Sequence, residues 1–168
     1  MSKLRIVLAV QLLFFVAWGG WLLSSRNTDS PEFYLETTPV DPRDLISGTY
    51  VALSYAISAP TAGNCPSFND YGPVFVKLEP RGKVISTENG PVPIYEAVDC
   101  SKNPPQEPGW VSANLQYGFR GNMAVYGIEK HFVNEDNPLK NARSGSVAAR
   151  VKIGHNRALV LLDLVKKI

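Results

Sequence analysis

Few side chains in this 168-residue chain have the type and spacing to do chemistry. His131 and His155 are the two histidines, and they stand too far apart in the chain to suggest a metal cluster or a Ser/His/Asp set. Cys65 and Cys100 are the two cysteines, with neither CxxC nor zinc-type spacing. Asp41 and Asp44 are close enough for an acid pair, but Asp before proline and Asp before a turn are ordinary loop chemistry. Ser47 is a nucleophile candidate by loop exposure alone, and a loop serine is far more often a turn residue. The expectation is a chain without catalytic residues, metal or cofactor.

The elements that would position these residues begin with an appendage. Lys3 and Arg5 precede residues 6–23, where Gln11 is the one strongly polar side chain. Eighteen helical residues rise about 27 Å, close to the hydrocarbon thickness of a bilayer. A buried core helix is rarely apolar all round, so that alternative carries little weight. A cleaved signal peptide is the sharper one. Against it, the apolar run exceeds the usual 7–15 residues of such segments, and Trp18 and Trp21 suit an interfacial aromatic belt. A small-x-small cleavage site is poorly formed around Leu22, Ser24 and Ser25, and no cysteine follows directly for lipid attachment. The reading is a cytoplasmic tail over 1–5, an uncleaved transmembrane anchor over 6–23, a polar linker over 24–31 and an extracytoplasmic β domain over 32–168.

Charge sets the orientation. Lys3 and Arg5 lie before the span, whereas Asp29, Glu32 and Glu36 follow it with Arg26, so the N-terminus is expected in the cytoplasm. The formal +2 of the chain is those two basic residues alone; beyond residue 23 there are 15 basic and 15 acidic residues. A balanced domain has no basic field to attract nucleic acid. The orientation puts Cys65 and Cys100 in an oxidising compartment, where one disulfide is the simplest reading and two buried free thiols the alternative. In the chain-entropy picture, closing a loop of about 35 residues stabilises by roughly 3–4 kcal/mol.

The remaining sequence alternates in short runs. Residues 33–37 predict a first strand, followed by a proline-punctuated link over 38–47. Residues 49–58 predict one strand with Val51, Leu53, Tyr55 and Ile57 inward and Tyr50, Ala52, Ser54 and Ala56 on the other face. A loop over 59–72 carries Cys65. Strands are expected at 74–79 and 84–87 as a hairpin about the turn 80–83, and at 92–98, where Pro93 predicts a sheet edge. A loop over 99–109 carries Cys100. Further strands are expected at 110–117, 123–128, 147–153 and 158–165, with a strand or a tight bend at 129–133 and a single helical turn within 134–142. Eight or nine short strands at even spacing, with no amphipathic helix of three turns, predict an all-β closed barrel or sandwich.

Two blocks carry a resemblance. Pro39-Val40-Asp41-Pro42-Arg43 leads into Gly48-Thr49-Tyr50-Val51-Ala52-Leu53-Ser54-Tyr55, and Tyr126-Gly127-Ile128-Glu129-Lys130-His131-Phe132-Val133 comes later. In these blocks the chain resembles the GDYxxLxY family of small membrane-anchored bacterial proteins. Gly48, Tyr50, Leu53 and Tyr55 match the naming motif, and Thr49 stands where the motif has Asp. The resemblance implies a single-pass protein of the bacterial inner membrane with a periplasmic β domain, and a polytopic membrane protein as candidate partner. It implies no particular activity. If the family's Asp accepts backbone N–H groups in the turn, the hydroxyl of Thr49 replaces it only in part.

Three functions follow for weighing. The first is a membrane-tethered interaction module in which Tyr50, the small face beside it, Tyr126, Glu129 and Lys130 belong to a docking surface. Against it stands an architectural role: Leu53 and Tyr55 in the core, Gly48 supplying a turn. Glu129 and Lys130 would point to opposite faces of a strand, and the inward one would need a partner such as Arg43 or Asp44. The second is an envelope enzyme similar to signal peptidases, which also follow one anchor with a β domain. There the position matching the nucleophile is Pro39, and no later lysine stands out as a base. The third is a small-ligand barrel of the lipocalin kind. The interaction module is the expectation, and not an enzyme.

Overall fold

Residues 2–26, 30–38, 50–65, 71–118, 121–132 and 144–168 are described in the computed structural model of the chain. They fall into two units, Met1–Ser30 and Pro31–Ile168. In the first, α1 runs Ser2–Arg26 without a proline to interrupt it. Ile6, Phe14 and Trp21 are each more than 60% exposed, so its apolar side chains face outward all round. Lipid satisfies that pattern. The segment Arg5–Leu22 is long and apolar enough to cross a membrane once, which fits single-pass anchoring.

The second unit is all β. Its strands are β1 (Glu32–Thr38), β2 (Tyr50–Ala52), β3 (Ser54–Tyr55), β4 (Gly72–Thr87), β5 (Gly90–Ser101), β6 (Trp110–Gly118), β7 (Gly121–Val125), β8 (Lys130–Phe132), β9 (Val147–Ile153) and β10 (Leu159–Lys166). The main sheet has the order β10-β9-β1-β5-β4-β6-β7, with β3 joined to β1, while β2 and β8 form a separate two-stranded ladder. The main sheet curls into a half-barrel. Period-2 burial drives the curl: Phe33, Leu35 and Thr37 of β1 turn inward with Val74, Val76 and Leu78 of β4, Val111 of β6 and Val147, Ala149 and Val151 of β9.

Part of the sheet meets itself. Thr87 of β4 forms an antiparallel bridge with Lys167 just beyond β10. The Glu88 N–H donates to the Lys166 carbonyl at 3.1 Å, and the Ile168 N–H to the Ser86 carbonyl at 3.1 Å. From β1 one can therefore pass through β9, β10, β4 and β5 and return to β1 at the pair Tyr34↔Ile94. An electrostatic clamp reinforces this ring. Glu36 of β1 accepts from the Lys83 ammonium on one oxygen and from Lys167 at 3.4 Å on the other.

Tertiary pairing redraws several sequence expectations. Residues 49–58 are not one strand: β2 pairs with β8 and β3 with β1. The chain changes partner at Leu53, whose N–H donates to the Glu129 carbonyl at 2.7 Å, and then enters a 3₁₀ turn over Ala56–Ser58. The expected hairpin turn at 80–83 is a bulge inside β4. Pro80 pairs with Tyr95 and Val84 with Pro93, so Arg81, Gly82 and Lys83 together oppose Ile94 alone. Gly82, at φ +86°, permits that excursion, and the reversal itself comes at Glu88-Asn89.

Nor does Pro93 mark an edge, because β5 lies between β1 and β4. Its ladder with β1 has the single register pair Tyr34↔Ile94, so the donors missing at Pro91 and Pro93 interrupt little of a ladder there. Residues 123–128 do not run on as one strand: β7 stops at Val125, and Gly127 takes φ +82°. Cys100 sits in β5 and not in a loop. The segment 134–142, with its expected helical turn, lies outside the described residues.

Candidate functional site

The two blocks that the sequence singled out, 71 residues apart at Tyr55 and Tyr126, come together in one unit. In the small ladder Tyr50 pairs with Phe132, Val51 with His131 and Ala52 with Lys130. Beyond it the two tyrosines exchange hydrogen bonds in mirror fashion. The Tyr55 hydroxyl donates to the Ile128 carbonyl at 2.7 Å, and the Tyr126 hydroxyl donates to the Ile57 carbonyl at 2.8 Å. Ile57 lies in the 3₁₀ turn after β3 and Ile128 between β7 and β8, where the chain has left the strand ladders, so the phenols supply the pairing that buried backbone requires.

Glu129 completes the unit. Its side-chain Oε1 accepts the Tyr126 N–H at 2.6 Å, while its backbone carbonyl takes the N–H of Leu53 at 2.7 Å. The partner of Glu129 is thus a backbone amide; Arg43 and Asp44, the expected alternatives, lie outside the described residues. Burial first, and then the negative charge of Glu129, push both phenols above the ordinary tyrosine value. They remain neutral donors across the physiological range, which suits anchoring and not proton transfer.

β3 is fixed on its other side by a buried polar knot. The Ser144 hydroxyl donates to the Thr38 carbonyl and accepts the Ser54 N–H at 3.0 Å. The Thr37 hydroxyl donates to the Val147 carbonyl and accepts the Gly145 N–H at 2.9 Å. Thr37 and Ser144 are 2% and 6% exposed, and both are satisfied. Thr37 was legible, because it falls on the inward phase set by Phe33 and Leu35. Ser144 carried no signal in its own neighbourhood.

This unit is recognisable. The chain matches the GDYXXLXY protein family over residues 12–164. It belongs to that family. No curated protein and no solved structure matches it.

The last two letters of the GDYXXLXY motif, Leu53 and Tyr55, are 4% and 2% exposed and lie in the core as the alternation predicts. Tyr126, expected on a surface, is 5% exposed and belongs to the clasp. Gly48 and Thr49 lie outside the described residues, so the replacement of the motif's Asp has no structural account. Tyr50 is described in its backbone only, at the start of β2. What the joined blocks present outward is β8: Lys130 is exposed and Phe132 is 74% exposed.

The cysteines form the expected disulfide, Cys65–Cys100, with Cα atoms 4.7 Å apart and a separation of 35 residues. Asp99 prepares the pairing, since its Oδ1 accepts the N–H groups of Asn64 and Cys100, each at 2.9 Å. These bonds, that from Asn64 foremost, hold the Asp99 carboxyl below its ordinary value. Gly63 is required there: at φ +56° any Cβ would lie 2.5 Å from that same Oδ1 and 2.7 Å from the Val98 carbonyl oxygen. Among the described residues, no group of three or more His, Cys, Asp or Glu side chains could hold a metal ion.

Proposed function

We propose that this chain is a non-enzymatic interaction module held at the inner membrane of a bacterium, its β domain in the periplasm and its partner a polytopic membrane protein. The observation that carries the reading is how the motif blocks spend their polar groups. Tyr55, Tyr126 and Glu129 are committed to backbone partners inside the fold, whereas Lys130 and Phe132 of β8 stand outward. A site built to react would keep a nucleophile or base addressable; this one tethers a small exposed strand.

Topology adds support. Lys3 and Arg5 before the span favour a cytoplasmic N-terminus, and a disulfide suits the oxidising side. Tagged full-length chain, extracted in mild detergent and purified, is expected to bring down one polytopic protein in stoichiometric amount, and F132A is expected to release it without unfolding the domain. Recovery of the chain alone, or capture unaffected by F132A and K130E, would refute the reading.

A further inference from the structure

The face of the sheet turned away from the core holds three oddities at one place. Trp110 begins β6 and pairs with Lys77, and Phe75 of β4 pairs with Ser112. Phe75 and Lys77 are two apart on one strand, and Trp110 and Ser112 two apart on the next, so the four share a face opposite Val76 and Val111. Trp110 is nonetheless only 7% exposed, and its indole Nε1 is buried without a hydrogen-bond partner among the described residues. An orphaned buried donor costs roughly 1–3 kcal/mol.

The second and third oddities belong to Arg157, in the turn between β9 and β10 that packs against β6. Its guanidinium carbon lies 5.9 Å from the centroid of the Phe75 ring. Its Nη1 is buried, and among the described residues it too has no hydrogen-bond partner. Its backbone sits at φ +60°, directly after Asn156 at φ +55°. A long side chain rarely adopts that conformation, and such strain persists where the surroundings hold a residue for a purpose. Lys77, the nearby cation, is spoken for by Glu79 at 3.1 Å and Glu107 at 3.3 Å. Asp99, across from Lys77 on β5, is spent on the amides of Asn64 and Cys100.

We infer that this face is a binding site for an oxyanion, a carboxylate or phosphate group of a small ligand, with Arg157 Nη1 and Trp110 Nε1 as its donors. The ligand chemistry follows from what is missing. Both orphans are donors, so the complement is an acceptor; one of them carries a positive charge and makes no ion pair with a carboxylate among the described residues, so the complement is negative. A guanidinium over the Phe75 ring still carries its fork of N–H donors, which matches a planar or tetrahedral oxyanion. None of its residues belongs to β8, and its test is separate from partner capture.

The three tryptophans of the full-length chain give three indole N–H resonances, and W110F assigns one of them. Sodium phosphate and sodium succinate are titrated in turn into ¹⁵N-labelled protein in detergent, against sodium chloride at equal ionic strength. The Trp110 resonance is expected to shift and saturate with one of the two salts, which tells phosphate from carboxylate, and not with chloride. R157Q is expected to weaken that binding at least tenfold, and R157K to weaken it less. Unchanged thermal melting and an intact Cys65–Cys100 bridge establish that both variants fold. A Trp110 resonance that stays still in every titration, follows chloride equally, or responds the same in folded R157Q or R157K overturns the site.

Discussion

Tyr55 and Tyr126 each anchor the residue two places beyond the other: Tyr55 holds the carbonyl of Ile128, and Tyr126 holds that of Ile57. Two segments distant in sequence thereby share one locking device, which joins the β2–β8 ladder to the core beneath it.

Removing either hydroxyl leaves a buried carbonyl without its donor. Y55F and Y126F are each expected to destabilise the domain by about 1–3 kcal/mol. Because both bonds close the same unit, the double variant should lose less than the two single losses combined. Urea unfolding of the four chains in a double-mutant cycle measures the difference; strict additivity would show the two bonds to be independent.

Glu36 predicts a pH dependence. Burial works to raise its carboxyl, but the Lys83 hydrogen bond and the Lys167 and Lys83 charges outweigh that and hold it below the ordinary 4.5. With the folded value depressed, the unfolded chain takes up the proton first. The contribution of Glu36 is therefore full above the ordinary value and is lost as the pH falls through the folded one. Lys83 is 45% exposed and screened, so E36Q should cost only about 0.5–1 kcal/mol at neutral pH. That gap should close on acidification. Melting temperatures of the two chains at stepped pH test it, and a gap that widens toward acid would contradict the clamp.

Replacing Cys65 and Cys100 together by serine removes a cross-link that closes a loop of 35 residues. The expected loss is about 3–4 kcal/mol in the chain-entropy picture, read as a lower urea midpoint. Mass mapping without reductant should first recover the 65–100 bridge from the native chain.

Gly63 and Gly72 separate crowding from backbone strain. Both have positive φ, +56° and +114°, but a Cβ at Gly63 would strike Asp99 and Val98, whereas one at Gly72 meets nothing within 4 Å among the described residues. G63A should therefore destabilise more than G72A, which bears only the conformational cost of about 1 kcal/mol. Equal losses in urea unfolding would count against the close packing around Asp99.

By itself the sequence determined what depends on near neighbours. Eighteen residues with Gln11 as the one strongly polar side chain can only be matched by lipid or a large core, so the span was readable. Alternation of period two placed Leu53, Tyr55 and Val51 inward, and two cysteines on the same side of that span implied one bridge. Tertiary structure decided whatever depends on which strand lies alongside which. The split of residues 49–58 at Leu53, the bulge at Arg81–Lys83 and the interior position of β5 all follow from a partner's register. Local patterning cannot encode that register, because an apolar strand alternates identically beside any neighbour. The clasp was hidden for the same reason: tyrosine at an inward position reads as core, and only the approach of Ile128 and Ile57 reveals where each hydroxyl is satisfied. Arg157 and Trp110 were likewise ordinary letters until folding set Arg157 over the ring of Phe75 on the sheet face that Trp110 shares.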